Sequence, residues 1–192
     1  MLKLAECSGV SPATPYNIFG GKSSILYALL TRSLDRIFLG FDEATALMEP
    51  HEVVVFAGKA AADFFIADPN YYRPLYLYLI GVPDPLYRPA YMNRALNYWR
   101  NALLPLQRGG YLGDDRARDA LARGLMIQFI GSIDMWAQGE LNHEHFRAHI
   151  RYGLTALLVH VTRDDWGSLL NNERREALEA MPLKMDFGGQ PS

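Results

Sequence analysis

The sequence contains a single cysteine, Cys7, so it lacks the second thiol that an internal disulfide requires. It also lacks any uncharged apolar run of the roughly 18 residues that cross a bilayer as a helix. Its first residues have no basic segment followed by an apolar one, which a signal peptide needs. These absences together predict a cytoplasmic protein in a reducing compartment, without a membrane partner.

Strong charge and strand-like alternation are also absent. Nineteen basic and 21 acidic residues leave a net charge of −2 over 192 residues, and residues 1–32 carry three basic side chains against one acidic one. This weakly basic start permits an anionic partner without requiring one. Alternation of apolar and polar residues extends nowhere beyond a few positions, and no internal repeat or low-complexity tract occurs.

What the sequence has in abundance is the helical spacing of apolar residues. The clearest helix begins near Lys22 and carries an apolar stripe as far as Phe41. Pro105 and the pair Gly109-Gly110 are predicted to end a later helix, and Asp114 and Asn142 are suitable N-caps for two long ones. We predict further helices at 53–67, 71–80, 89–107, 114–138, 142–161 and 172–181. The sequence therefore predicts an all-α fold.

The predicted helices 114–138 and 142–161 are joined by a linker short enough to make them antiparallel neighbours. The first is apolar on nearly every side between Leu125 and Ile133, and a second copy of the chain could cover the side that one copy leaves open. Two glycines lie seven residues apart on one face, where backbones could approach closely, although ordinary packing would also explain them. We predict a homodimer whose interface contains Gly124, Gly131, Ile150, Leu154 and Leu157.

Residues 9–22 have the pattern of a helix-turn-helix. Gly9 can turn the chain at the end of a preceding short helix, and Ser11 and Pro12 suit the cap and first position of the next one. That second helix would expose small polar groups suited to base edges or phosphates, and the lysine at the start of the following helix suits a phosphate. We predict DNA contacts, mainly to phosphates, from Ser11, Thr14, Tyr16, Asn17 and Lys22.

Residues 4–26 resemble the DNA-binding motif of the TetR-type bacterial transcription regulators, which reads approximately Ile-Ala-x-x-Ala-Gly-Val-Ser, x-x-Thr-x-Tyr-x-x-Phe-x-x-Lys and x-x-Leu-Leu. The chain departs from it at Ser8 and Ile18, and it begins inside the second helix of the family's DNA-binding head. The matching positions are Leu4, Ala5, Gly9, Val10, Ser11, Thr14, Tyr16, Phe19, Lys22, Ile25 and Leu26.

The resemblance implies a partial helix-turn-helix DNA-binding domain at residues 1–46, shortened by its first helix. It implies an antiparallel helical-bundle domain at 47–192 that binds a ligand and forms the homodimer. The implied function is that of a repressor of transcription that binds double-stranded operator DNA and is released by a small apolar or amphipathic effector. The alternative is a helical homodimer that binds a small molecule or a protein and no DNA, because its head is incomplete.

Aromatic residues are concentrated in the second predicted domain, where they could fill an ordinary core or line an amphipathic pocket. The tyrosine hydroxyls need hydrogen-bond partners, which a pocket supplies. With the family resemblance in mind, we predict that the ligand contacts are Phe64, Tyr76, Tyr78, Met92, Trp99, Met126, Phe129 and Trp136.

The sequence predicts neither catalysis nor a metal or other cofactor. The run Gly20-Gly21-Lys22-Ser23 has neither the first glycine nor the preceding strand of a phosphate-binding loop. The pair His145 and His149 has the i, i+4 spacing of metal ligands, but solvated or interface histidines are the commoner outcome. Cys7 has no nearby histidine to activate it as a nucleophile.

Overall fold

The structure is a computed structural model that describes residues 9, 11, 13–79, 81–159 and 164–182. This part of the chain is all-helical and contains no strand, which confirms the predicted fold class. Its helices are α1 (Thr14–Phe19), α2 (Lys22–Phe38), α3 (Phe41–Thr45), α4 (Pro50–Ile66), α5 (Pro69–Leu79), α6 (Tyr87–Arg108), α7 (Asp115–Gln138), α8 (His143–Leu158) and α9 (Asp164–Glu179).

The helix ends follow the local chemistry of the sequence. The Asp114 carboxylate accepts a hydrogen bond from the Ala117 amide at 3.0 Å, and the Asn142 side chain accepts one from the His145 amide at 2.8 Å. Both predicted N-caps are thus confirmed. Gly139, with a φ of +88°, ends α7 in the left-handed conformation that favours glycine and turns the chain toward α8.

The predicted helix boundaries were wrong in two places, at Gly40 and at the start of α9, and the predicted end of α6 was confirmed to within one residue. Gly40, with a φ of +78°, separates Phe41 from α2, so the apolar stripe is divided between α2 and α3. Helix α6 ends at Arg108, one residue beyond the predicted end and directly before Gly109-Gly110; Pro105 in its last turn removes one backbone hydrogen bond, and buried Leu106 beside it keeps that turn packed. Helix α9 begins eight residues earlier than predicted, at Asp164.

The apolar core lies where α6 packs against α2, α4 and α7, and where α8 packs against α4, α7 and α9. Helix α5 covers α7, and α1 packs mainly against α2. Most of α7 is covered within the chain, but Ile127 on its outer side is 65% exposed. In the described residues, no helix is both long enough and apolar enough to span a membrane.

Candidate functional site

The segment predicted to contact DNA is helical and lies on the surface. Gly9 has a φ of +63°, which confirms the turn predicted there, and α1 follows it. The helix predicted before Gly9 lies outside the described residues. Ser11 does not cap α1, because its hydroxyl is 2.9 Å from the Thr14 hydroxyl and forms no bond to a helix amide. This corrects the predicted role of Ser11 as a cap.

Four of the five predicted DNA-contact residues are exposed, and Thr14 is half-buried. Tyr16 is 42% exposed, and the side chain of Lys22 is exposed where α2 begins. Ile18 is 65% exposed on the same short helix. Exposure is necessary for contact with a duplex, and no described residue covers this face of α1. The DNA contacts themselves remain predictions.

Lys22 has a second neighbour that the sequence did not indicate. Its ammonium lies 4.1 Å from the centre of the Tyr78 ring, at the end of α5. Tyr78 is exposed, and this cation–π contact occupies one face of its ring. The ring of Tyr78 thus links the start of α2 to α5, and its assignment as a ligand contact remains a prediction.

The buried carboxylate of Asp84 links the first turn of α2 to the start of α6. Its Oδ2 accepts hydrogen bonds from the hydroxyls of Ser23, at 3.2 Å, and Ser24, at 2.8 Å, in the first turn of α2. Its Oδ1 accepts bonds from the amides of Leu86, at 3.2 Å, and Tyr87, at 2.8 Å, where α6 begins. We call these contacts the Asp84 bridge.

The electrostatics of the Asp84 bridge favour the ionised carboxylate. Burial alone would raise the pKa of Asp84, but the bonds from the Tyr87 amide, the two serine hydroxyls and the Leu86 amide outweigh it and lower the pKa. Phe19 at the end of α1 adds an aromatic contact with Tyr87, with ring centres 6.3 Å apart. The first two helices are thus joined to the start of α6 by both charge and packing.

A pocket of about 270 Å³ opens between α2, α5, α6 and α7, next to the Asp84 bridge. We call it the tyrosine pocket. Two of the predicted ligand contacts, Tyr76 and Met92, line it. Its full lining is Tyr27, Leu30, Tyr76, Leu79, Gly81, Arg88, Tyr91, Met92, Ile130, Gly131 and Asp134.

Two tyrosines line both the tyrosine pocket and a smaller inner cavity. The hydroxyls of Tyr76 and Tyr91 are 2.5 Å apart, and burial raises the pKa of both, that of Tyr91 to about 12. Both phenols are therefore neutral at physiological pH. Tyr76 and Tyr91 also line the inner cavity of about 30 Å³, together with the predicted residues Trp99, Met126 and Phe129. Five of the eight predicted ligand contacts thus surround these two neighbouring spaces.

The remaining predicted ligand contacts lie elsewhere. Phe64 lines a separate open groove with Arg32, Arg36 and other residues of α2 and α5. Trp136 is fully buried, stacked on Phe146 with ring centres 5.5 Å apart. Trp136 belongs to the core and lines neither the tyrosine pocket nor the inner cavity. Phe64 lines neither of these two spaces, and its assignment as a ligand contact remains a prediction.

Sequence reasoning missed the polar residues of the tyrosine pocket. Asp134 and Arg88 both line it, and Tyr27 contributes a third phenol. A signal for Asp134 existed, since it is an acidic residue next to the most apolar stretch of α7. Arg88 and Tyr27 had no such signal, because their helices have ordinary amphipathic patterns and only the packing of α2 on α6 brings them together.

Two of the predicted dimer contacts are also core residues. Ile150 and Leu154 are each 1% exposed, because α8 packs closely against Gly58 of α4. They offer no surface to a partner, and their assignment to an interface is wrong. Gly131 is exposed, and Gly124 and Leu157 are half-buried and adjacent, with a Cβ added to Gly124 lying 3.7 Å from the Leu157 side chain.

In comparisons with known proteins, no family model, no curated protein and no solved structure matched this chain. Its function therefore has to be inferred from the residues and the geometry described above.

Proposed function

We propose that this chain is a ligand-responsive, DNA-binding regulator of transcription of the TetR type, and that it acts as a homodimeric repressor. The observation that carries the proposal is the exposed helix α1 with Tyr16 and Lys22, in the segment that resembles that family's DNA-binding motif. In this proposal α1 is the recognition helix of a helix-turn-helix and enters the major groove.

The Asp84 bridge supplies a physical route from a ligand to the DNA-binding helices. Gly81 and Arg88 flank Asp84 in the chain and line the tyrosine pocket, and Tyr27 lines it one turn after Ser23 and Ser24. A ligand in the pocket would therefore touch the segments that hold the bridge. If it favours a different arrangement of those segments, it shifts the population away from the DNA-competent state.

We propose that a second copy packs on the outer side of α7. Gly124, Ile127 and Gly131 follow one another there at helical spacing, and nothing lies within 4 Å of a Cβ added to Gly131. Gly131 also lines the tyrosine pocket, so a second copy on this face would lie beside that pocket. The small residues let another backbone approach, and covering exposed Ile127 supplies apolar burial. In such a dimer, two recognition helices about 34 Å apart would enter successive major grooves.

The DNA-binding proposal predicts a specific loss on Lys22→Ala. The affinity for DNA from beside the chain's own gene should fall about tenfold, and the slope of affinity against salt concentration should drop by about one, because one phosphate contact is lost. Tyr16→Phe should also weaken binding, through the loss of its hydroxyl. Fluorescence anisotropy at several salt concentrations measures both effects.

Two control variants separate a DNA contact from a structural effect. Tyr78→Leu removes the ring under Lys22 but leaves the charge, and Lys59→Ala removes an exposed lysine of α4. Both should bind DNA as the parent does. If Lys22→Ala and Tyr16→Phe also bind as the parent does, the assigned contacts are wrong; if no DNA fragment binds the parent at all, the alternative of a ligand-binding dimer without DNA replaces this proposal.

The dimer proposal predicts that Ile127→Glu gives a monomer in sedimentation velocity at micromolar concentration, because a buried carboxylate without a partner opposes association. Ile18→Glu is the matched control, since both isoleucines are 65% exposed but Ile18 lies on α1. The control should keep the oligomeric state of the parent. A dimer that persists in Ile127→Glu would rule out this face as the interface.

A further inference from the structure

The tyrosine pocket is lined by a half-buried aspartate that has one carboxylate oxygen without a hydrogen-bond partner. Asp134 of α7 lines the pocket, its Oδ1 is buried, and within the described residues no group forms a hydrogen bond with that atom. A buried carboxylate oxygen that has lost its water and gained no donor is unfavourable. Because Oδ1 is closed off from solvent, a ligand donor reaches it only when the Asp134 carboxylate rotates toward the pocket, and a hydrogen bond formed there would remove that penalty.

The other groups of the pocket suit a cation better than an anion. The rings of Tyr27, Tyr76 and Tyr91 and the thioether of Met92 line it, and aromatic faces attract cations. Burial raises the pKa of all three phenols, so they contribute no negative charge of their own at physiological pH. Asp134 is therefore the acidic group that faces this space.

Arg88 lines the same pocket and opposes a cation, but its position weakens that effect. Its side chain is exposed, and its guanidinium lies near the Tyr27 hydroxyl, where it partly offsets the rise that burial causes in the pKa of Tyr27. Solvent screens an exposed charge more than a half-buried one. The two charged residues of the pocket thus differ in their exposure to solvent: Arg88 is exposed, whereas Asp134 is half-buried. The charge of Asp134 is therefore the less screened of the two.

We propose that the tyrosine pocket binds a small organic cation, with an ammonium group that donates to Asp134 and an apolar body against the tyrosine rings. The volume of about 270 Å³ lies near the lower end of the range of ligand pockets, roughly 300–1,000 Å³, and favours a small ligand. The inference deepens the proposed function, because it names the chemical class of the effector.

Three probes with one aromatic body and different charges test the preference in isothermal titration calorimetry with the full chain. Phenethylamine carries an ammonium at pH 7, phenethyl alcohol is neutral, and phenylpropionate is an anion. We expect phenethylamine to bind about tenfold more tightly than the alcohol, as a hydrogen bond between charged groups is stronger than one between neutral groups. Phenylpropionate should bind most weakly.

Variants assign the preference to Asp134. Asp134→Asn keeps the shape of the side chain and should weaken phenethylamine binding about tenfold while leaving phenethyl alcohol nearly unchanged. Arg88→Gln should strengthen phenethylamine binding, because it removes the opposing charge. Glu43→Gln, at an exposed position of α3, is the control and should change neither.

Equal binding of the three probes, or full retention of phenethylamine binding in Asp134→Asn, would overturn this proposal. The assay contains no DNA, so its result is independent of the proposed function. If the chain prefers phenethylamine but binds no DNA, the proposed regulator function is wrong and the proposed cation pocket stands. If the chain binds DNA but shows no charge preference among the probes, the cation pocket is wrong and the regulator function stands.

Discussion

Replacing Asp84 with alanine should lower the free energy of unfolding by about 3 kcal/mol, as measured by urea denaturation followed by circular dichroism. The carboxylate accepts four hydrogen bonds, two from serine hydroxyls of α2 and two from amides at the start of α6. Alanine leaves these donors without their acceptor in a place where the side chain was only 7% exposed. Unsatisfied buried donors cost more than the bond itself contributes.

Asp68→Ala is the matched control for this effect. The Asp68 carboxylate accepts a single bond from the Tyr71 amide, at 3.2 Å, at an exposed position where α5 begins. Losing such an ordinary helix cap costs about 1 kcal/mol. If Asp84→Ala is no more destabilising than Asp68→Ala, the Asp84 bridge is only a cap. It would then not hold α2 to α6, and the proposed route from the pocket to the DNA-binding helices would fail.

The pH dependence of the bridge follows from the lowered pKa of Asp84. Burial raises the pKa of Asp84, but the hydrogen bonds to its carboxylate lower it by more. The pKa is therefore lower in the folded chain than its usual value of 3.8 in the unfolded chain. The stabilisation is therefore fully present above that value and is lost as the pH falls through the folded-state pKa. The stability difference between the parent and Asp84→Asn should be constant near neutral pH and shrink in acid.

Gly58→Ala should lower the free energy of unfolding by about 2 kcal/mol, although alanine favours a helix more than glycine does. An added Cβ would overlap the Leu154 side chain and lie 3.1 Å from the Ile150 Cγ2. Both neighbours are buried to 1% exposure, and both also line a separate pocket of about 270 Å³, which limits the cost of moving them. Helices α4 and α8 would have to separate, which thermal or urea unfolding would detect.

A double-mutant cycle isolates this contact. Leu154→Ala alone should cost roughly 2–5 kcal/mol, but Gly58→Ala combined with it should be less destabilising than the sum, because the new methyl group fills part of the space. Gly167→Ala in α9 is the control, since nothing lies within 4 Å of its added Cβ, and it should be neutral or stabilising. Additive effects at Gly58 and Leu154 would show that close packing there is not the cause.

Most local signals in the sequence were reliable where one short segment supplies all the contacts; the cap predicted at Ser11 was the exception. The caps at Asp114 and Asn142 and the turn at Gly9 need only neighbours within a few residues, and the structure bears out all three. The predicted end of α6 before Gly109-Gly110 is borne out to within one residue, although Pro105 itself lies inside the last turn. A proline there removes one backbone hydrogen bond, and the burial of Leu106 against other helices keeps that turn packed.

Site residues were harder to predict, because their role depends on which helices meet. Apolar periodicity identified a buried face on α8 but not its partner, so Ile150 and Leu154 were assigned to a second copy of the chain rather than to Gly58. Tyr76 and Tyr78 are two residues apart, and the sequence alone gave no reason to assign them different roles. Because a helix turns by about 100° per residue, Tyr78 lies under Lys22 on the surface while Tyr76 faces the pocket.

The sequence by itself determined the helical class, most helix ends and the exposed polar character of the α1 segment, because backbone hydrogen bonding, capping and turn chemistry act over a few residues. Only the tertiary structure decided that Asp84 joins α2 to α6, and that Tyr27, Arg88 and Asp134 share one pocket. These residues are up to about a hundred positions apart, and no periodicity encodes which helices pack against each other. Close packing selects those neighbours through the shapes of all the side chains at once.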